Sequence, residues 1–226
     1  MTQGQHIQVR CAIPHFYRAS IEGTGYGSGR PGQLQARSIA LGRCIGSLLA
    51  LRRSTEDAIL NIGERCIEFW SNHKQNIQHL ESVEIDIHVF TDGKNKIDNV
   101  LMLFNDHITV HTVDLKDPRH LPLAARNWLI NEVTPADLNI YLEDDLVISD
   151  QLFLDKQHWF LKRTDEKFVL MPHRFEQIYN GHYGKLLVDG PLNPTFIDQF
   201  CSPKKNALIG RFDPNENEIH FDITDN

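Results

Sequence analysis

Apolar and polar positions along this chain follow two rhythms that alternate. Residues 7 to 13 (Ile-Gln-Val-Arg-Cys-Ala-Ile) form an apolar run that ends at Pro14, which predicts a first strand. Leu41, Cys44, Ile45, Leu48 and Leu49 then recur at helical spacing. Ser54 can cap a second helix, with Asp57 at its third position and Ile59, Ile62, Cys66 and Trp70 as its apolar face. Val83 to Phe90 alternates as a strand does and closes on the turn signal Thr91-Asp92-Gly93. Residues 108 to 113 predict a third strand. Pro122 opens a helix striped by Leu121, Ala124, Ala125, Trp128 and Leu129, and Thr134-Pro135 stops it. Asp150 can cap a further helix that buries Leu152, Phe153, Trp159 and Phe160, and Phe168 to Met171 predicts a short strand. Asn180-Gly181, between Gln177-Ile178-Tyr179 and the stretch from Tyr183 to Val188, signals a hairpin. The tail from Asn193 shows little periodicity before residues 218 to 223.

Strands alternating with helices imply a three-layer α/β/α fold around a mainly parallel, mixed sheet, with a small C-terminal hairpin region. One domain over residues 1–226 is expected, with a ligand-binding half at about 7–150 and a shorter half at about 151–226. In such sheets ligands sit at the carboxyl ends of strands. Three predicted strand ends carry suggestive residues: Pro14-His15, Asp92-Gly93 and Glu143-Asp144-Asp145.

The last of these is the strongest chemical signal. In residues 138 to 148 an apolar run is interrupted by Glu143, Asp144 and Asp145 and then resumes with Leu146, Val147 and Ile148. Three adjacent acids inside a buried strand would repel one another and lose hydration. They are tolerable where they emerge at the strand's end and a hard divalent cation compensates them. On a regular strand Glu143 and Asp145 point to one side and Asp144 to the other. Glu143 and Asp145 could then hold one magnesium or manganese ion and leave positions for phosphate oxygens.

Composition narrows the partners. The 226 residues carry a net charge of −7, which argues against a general nucleic-acid binder, so an anionic ligand needs local Arg, Lys or metal. A glycine-rich stretch (Gly23, Gly25, Gly27, Gly29, Gly32) lacks dinucleotide-fingerprint spacing. It reads either as a surface loop or as a flap over a phosphate with Arg30 or Arg37 as the cation. None of Cys11, Cys44, Cys66 and Cys201 forms a CxxC pair, and Cys44 and Cys66 read as buried thiols on helix faces. With no apolar leader at the N-terminus and no run of spanning length, no transmembrane segment and a cytoplasmic location are expected.

With these motifs in order, the sequence resembles the GT-A class of nucleotide-sugar glycosyltransferases, over roughly residues 7 to 175. The resemblance rests on Val89-Phe90-Thr91-Asp92-Gly93, Leu123-Ala124-Ala125-Arg126-Asn127 and Tyr141-Leu142-Glu143-Asp144-Asp145, the last matching a DxD motif with Glu143 first. It implies a nucleotide-diphosphate sugar donor, a hydroxyl acceptor (glycan, lipid-linked or protein) and a Mn2+ or Mg2+ cofactor. Asp92 would contact the base or ribose. Pro14 and His15 would lie on the donor side, and Arg126 near the phosphates. Glu143 would reach the ribose or a metal-bound water, and Asp145 would be the main metal ligand. Asp144 would either bind sugar hydroxyls or simply be solvated.

Downstream, Glu176 and Asp189 are candidate bases for an acceptor hydroxyl, against readings as surface charge and as turn chemistry. His220 is a candidate late metal ligand, against a strand-edge histidine. Only 81 residues follow Asp145, short for an acceptor half. A non-catalytic or truncated nucleotide-sugar-binding module therefore stands as the alternative to a transferase. A metal-dependent phosphohydrolase or nucleotidyltransferase stands behind both.

Overall fold

A computed structural model describes residues 6–19, 29–54, 56–71, 82–178, 184–188, 203–212 and 219–224. The chain divides into two compact units, Met1–Asp155 and Lys156–Asn226.

The first unit is an α/β fold around a four-stranded parallel sheet. Its strands are β1 (His6–Pro14), β4 (Ser82–Thr91), β5 (Ile108–Thr112) and β6 (Leu138–Tyr141), in the order β5-β4-β1-β6. β1 and β4 run in register from His6↔Ser82 to Pro14↔Phe90. This pairs Ile7 with Val83, Val9 with Ile85, Cys11 with Ile87 and Ile13 with Val89, all of them buried. The apolar rows that the alternation implies are therefore one continuous face of the sheet.

Helices cover both faces. α1 (Leu34–Leu49) buries Leu41, Cys44, Ile45 and Leu48, the stripe expected from the sequence, and packs on β4 and on α2 (Asp98–Leu103). The opposite face is covered by α3 (Leu121–Asn131), whose Leu121, Ala125 and Leu129 form a buried cluster with Ala12 and Phe90. A short 3-10 helix, Pro118–His120, leads into α3, and the Asp117 side chain accepts a hydrogen bond from the Arg119 amide at its start. Asp150 shapes the turn just ahead of α4 (Phe153–Arg163), with Oδ1 accepting from the Leu152 amide.

At the end of β4 the chain turns through Gly93, at φ +78°. A Cβ there would sit 2.8 Å from Thr112 Cγ2, so both the left-handed backbone and the close approach require glycine.

Several expectations are corrected. The segment after Ser54 is an antiparallel hairpin of β2 (Glu56–Asn61) and β3 (Cys66–Ser71), paired from Glu56↔Ser71 to Asn61↔Cys66. Ile59, Ile62 and Cys66 do recur at helical spacing, but the segment is dense in β-branched and aromatic residues, which favour a strand. Its turn also has strand-connection chemistry: Asn61 Oδ1 accepts from the Glu64 amide, and Arg65 has φ +51°. Cys66 is accordingly exposed, not buried on a helix. Leu60, Ile67 and Phe69 are 67%, 63% and 72% exposed. Residues 168 to 171 form no strand, and the Leu170 carbonyl instead accepts from Gln157 Nε2. β6 stops at Tyr141, well short of the apolar run's end at Ile148, and the acids lie just beyond the strand's end.

The second unit contributes two antiparallel pairs. β7 (Phe175–Ile178) pairs with β8 (Gly184–Leu187), the hairpin the sequence signals, although its turn residues lie outside the described residues. β9 (Pro203–Gly210), which the sequence pattern misses, pairs with β10 (Ile219–Thr224). No helix among the described residues is long and apolar enough to cross a membrane.

Between α3 and the sheet lies a layer of rings. His88 and His111 share a hydrogen bond of 3.0 Å between Nδ1 and Nε2. His111 stacks on Phe90 at 4.6 Å, and Trp128 covers His88 at 4.3 Å. Burial, with His111 next in weight, pushes the His88 pKa down to about 4, and Asp86 and Glu132 oppose this less than they would need to. Burial also lowers His111. Both rings therefore gain protons more readily when unfolded. Stability from this layer is fully present above the unfolded-state value of about 6.5 and declines as pH falls from there toward about 4. Chemical denaturation of wild type and His88→Phe between pH 7.5 and 4.5 checks this, and the variant is expected to lose less stability on acidification. Equal losses would remove His88 from the account. In the same assay Gly93→Ala is expected to cost at least about 1–2 kcal/mol.

Candidate functional site

From β1 the chain moves to β4 and β5 on one side of the sheet, whereas β6 adds to the other side of β1. The strand order thus reverses between β1 and β6. In an open parallel sheet the crevice beyond the carboxyl ends of two such strands is the expected ligand position. β1 delivers Pro14 and His15 there. β6 delivers Tyr141, Leu142 and the acid turn, which is closed by a hydrogen bond from the Leu146 amide to the Glu143 carbonyl at 3.1 Å.

The three acids are not equivalent. Glu143 and Asp145 are exposed, while Asp144, between them, is 8% exposed. The alternation expected of a strand persists into the turn, but the carboxylate expected to be solvated or bound to sugar is the buried one. Its partners explain why. Asp144 Oδ2 lies 2.6 Å from His15 Nδ1, and Asp144 Oδ1 accepts from Arg37 Nη2 at 2.5 Å. Arg37 also donates through Nη1 to Asp145 Oδ2 at 3.0 Å. A guanidinium has the width to bridge two neighbouring carboxylates, which an ammonium lacks. Arg37 Nε is buried without a partner. Burial alone would lower the Arg37 pKa, but the charge and hydrogen bond of Asp144, with those of Asp145, raise it above its ordinary value.

Two side groups report on the same field. Burial, then the Asp144 and Asp145 charges, pushes the Cys44 thiol up to about 12, so Cys44 is an inert thiol under the acid turn. It donates to the Glu143 carbonyl at 3.5 Å. The Tyr141 hydroxyl is raised by burial and then by Glu143, with Arg126 acting in the opposite sense. Arg126 is exposed on α3 and has no carboxylate partner among the described residues.

The other expected residues fall as follows. His15 is 0% exposed, so it offers no surface to a ligand, which its assignment as a substrate-binding residue requires. Asp92, at the end of β4, uses its carboxylate on its own loop: Oδ1 accepts from the Lys94 and Asn95 amides, and Oδ2 from Asn95 Nδ2. Burial would raise Asp92, but these bonds outweigh it and hold the carboxyl below its ordinary value. Glu176 is exposed on β7 of the second unit. His220 belongs to β10, with its side chain outside the described residues, as are Asp189, Cys201 and most of the glycine-rich stretch. Arg30 is exposed. The sequence names Arg37 only as one of two cations for that stretch, and its bridging of the acid turn is new.

A divalent ion can be tested against this donor set. Glu143 and Asp145 offer hard carboxylate oxygens at the surface, and the Asp145 side chain remains 49% exposed despite its bond to Arg37. Among the described residues no three His, Cys, Asp or Glu side chains gather as a cage. An ion here would have to be held by two carboxylates, one of them already bonded to Arg37, with its remaining positions filled by water or phosphate.

Comparisons with protein-family models, curated proteins and solved structures match this chain to none of them.

Removing Asp144 leaves Arg37 and His15 without their shared counter-group. Asp144→Ala is expected to cost about 3–5 kcal/mol of stability. Asp145→Ala, at a half-exposed pair, is expected to cost about 0–1 kcal/mol. Urea unfolding followed by tryptophan fluorescence checks the ranking, and equal losses would remove Asp144 from its central place.

Proposed function

We propose that the protein is a GT-A-like glycosyltransferase, binding a nucleotide-diphosphate sugar in the crevice between β1 and β6 and passing the sugar to a hydroxyl acceptor. The observation that carries this reading is the union of carboxylates and Arg37 at the carboxyl ends of the two strands where the sheet order reverses. A diphosphate is a polyanion, and a chain of net charge −7 needs local cations to hold one. Arg37 beside the acid turn and the exposed Arg126 supply them. Glu143 and Asp145 would hold a magnesium or manganese ion, which when bound neutralises charge on the departing diphosphate. Tyr141 and the loop fixed by Asp92 would border the nucleoside. Asp144 orients Arg37 from within the wall rather than meeting the sugar.

Calorimetric titration of the full chain with UDP and with GDP, each with and without manganese, tests the binding half of this reading. One nucleotide is expected to bind more tightly with metal, and Asp145→Ala to weaken it by about tenfold or more. Absence of binding by the wild type would sink the proposal. Metal-dependent release of sugar from a donor would then separate a transferase from a binding module. Phosphate release from nucleoside triphosphates without any sugar donor would instead favour a phosphohydrolase.

A further inference from the structure

His15 is wholly buried, yet it touches both loops that frame the crevice. Its Nε2 accepts from the backbone amide of Ile97 at 3.0 Å, and its Nδ1 lies 2.6 Å from Asp144 Oδ2. A backbone amide can only donate, so Nε2 must present its lone pair. The ring proton is then on Nδ1, where it donates to the carboxylate. The His15 amide itself donates to the Phe90 carbonyl at 2.8 Å, which fixes the ring's root.

The bonds continue outward on both sides. Asp144 passes its orientation to Arg37, and Arg37 to Asp145. On the other side Ile97 ends the loop that Asp92 organises through Lys94 and Asn95, and the Tyr17 amide donates to the Asn95 carbonyl. One ring therefore joins the loop after β4 to the turn after β6, and no direct bond between those two segments appears among the described residues.

Resting on the reading of this crevice as a donor site, we infer that His15 is its positioning residue: as the Nδ1–H tautomer it sets Asp144, and through it the direction in which Arg37 and Asp145 face the diphosphate. It acts through Asp144 and touches no ligand. The two halves of its role can be separated. In His15→Asn the side-chain amide replaces the donor at the Nδ1 position and loses the acceptor that meets Ile97. In His15→Gln the longer side chain reaches the Nε2 position, accepts from Ile97 and loses the donor to Asp144.

The test uses the full chain in three measurements. Nitrogen–proton correlation spectra of ligand-free wild type are expected to show His15 protonated at Nδ1 alone, and protonation at Nε2 would overturn the inference. Amide exchange is expected to quicken at 143–146 in His15→Gln and at 95–97 in His15→Asn. The same pattern in both variants would overturn it. Titration with UDP and GDP is expected to weaken His15→Gln by about 10- to 100-fold and His15→Asn by a smaller factor, at comparable melting temperatures. Equal affinities, or affinities that simply follow melting temperature, would overturn it. If the wild type binds neither nucleotide, the proposed function fails, while the spectra and the exchange pattern still decide the role of His15.

Discussion

The crevice depends on one buried negative charge. Asp144 is removed from water, which is unfavourable for a carboxylate unless positive or proton-donating groups meet it. Arg37 from α1 and His15 from the end of β1 do so, each on a separate oxygen. With both oxygens engaged, the turn 143–146 has a defined direction, and Glu143 and Asp145 are turned outward by the alternation that turns Asp144 in. The exposed chemistry of the mouth is therefore set by a residue that does not reach it. Arg37 has a double part, as counter-charge for Asp144 within the wall and as a cation beside Asp145 at the surface.

Topology puts these groups in one place. The parallel pairing of β1 with both β4 and β6 brings three carboxyl ends to one edge of the sheet. Gly93 allows the chain to turn tightly past Thr112 at the end of β4, and the Asp92 loop folds back from there to meet His15. The ring layer of His88, His111, Phe90 and Trp128 holds α3, and with it Arg126, against the opposite side of the same sheet.

Much of this architecture was legible in the sequence. β1, β4 and β5 announced themselves by alternation or apolar runs, and α1, α3 and α4 by helical stripes and caps, because local periodicity reports burial on one side of an element. The hairpin of β2 and β3 does not read as strands because Ile59, Leu60, Ile67 and Phe69 lie on both faces and are exposed, so no buried face imposes a period of two. β9 (Pro-Lys-Lys-Asn-Ala-Leu-Ile-Gly) shows no apolar–polar alternation in its sequence. The acid triplet follows the end of a strand, as the interrupted apolar run implies, and Glu143 and Asp145 differ from Asp144 in exposure, as the alternation implies. The weight of Asp144 was not visible, since it depends on Arg37 and His15, which lie 107 and 129 residues away in sequence. His15 is visible in the sequence as a strand-end residue, but its burial is not, because sequence gives position along a strand and not depth.

That separation has a consequence for the integrity of the site. The bond from His15 to Asp144 joins chain segments 129 residues apart, and β6, which leads into the Asp144 turn, pairs among the described residues with β1 alone. Neither the N-terminal segment nor the acid turn holds a half-site of its own: the first has the Arg37 guanidinium and the His15 donor without their carboxylate, the second the carboxylate without its donors. Closing so long a loop has its entropic cost offset only when β6 docks and the buried charges meet. The crevice is thus a product of the chain's longest-range order, and its chemistry exists only while β1 and β6 remain side by side.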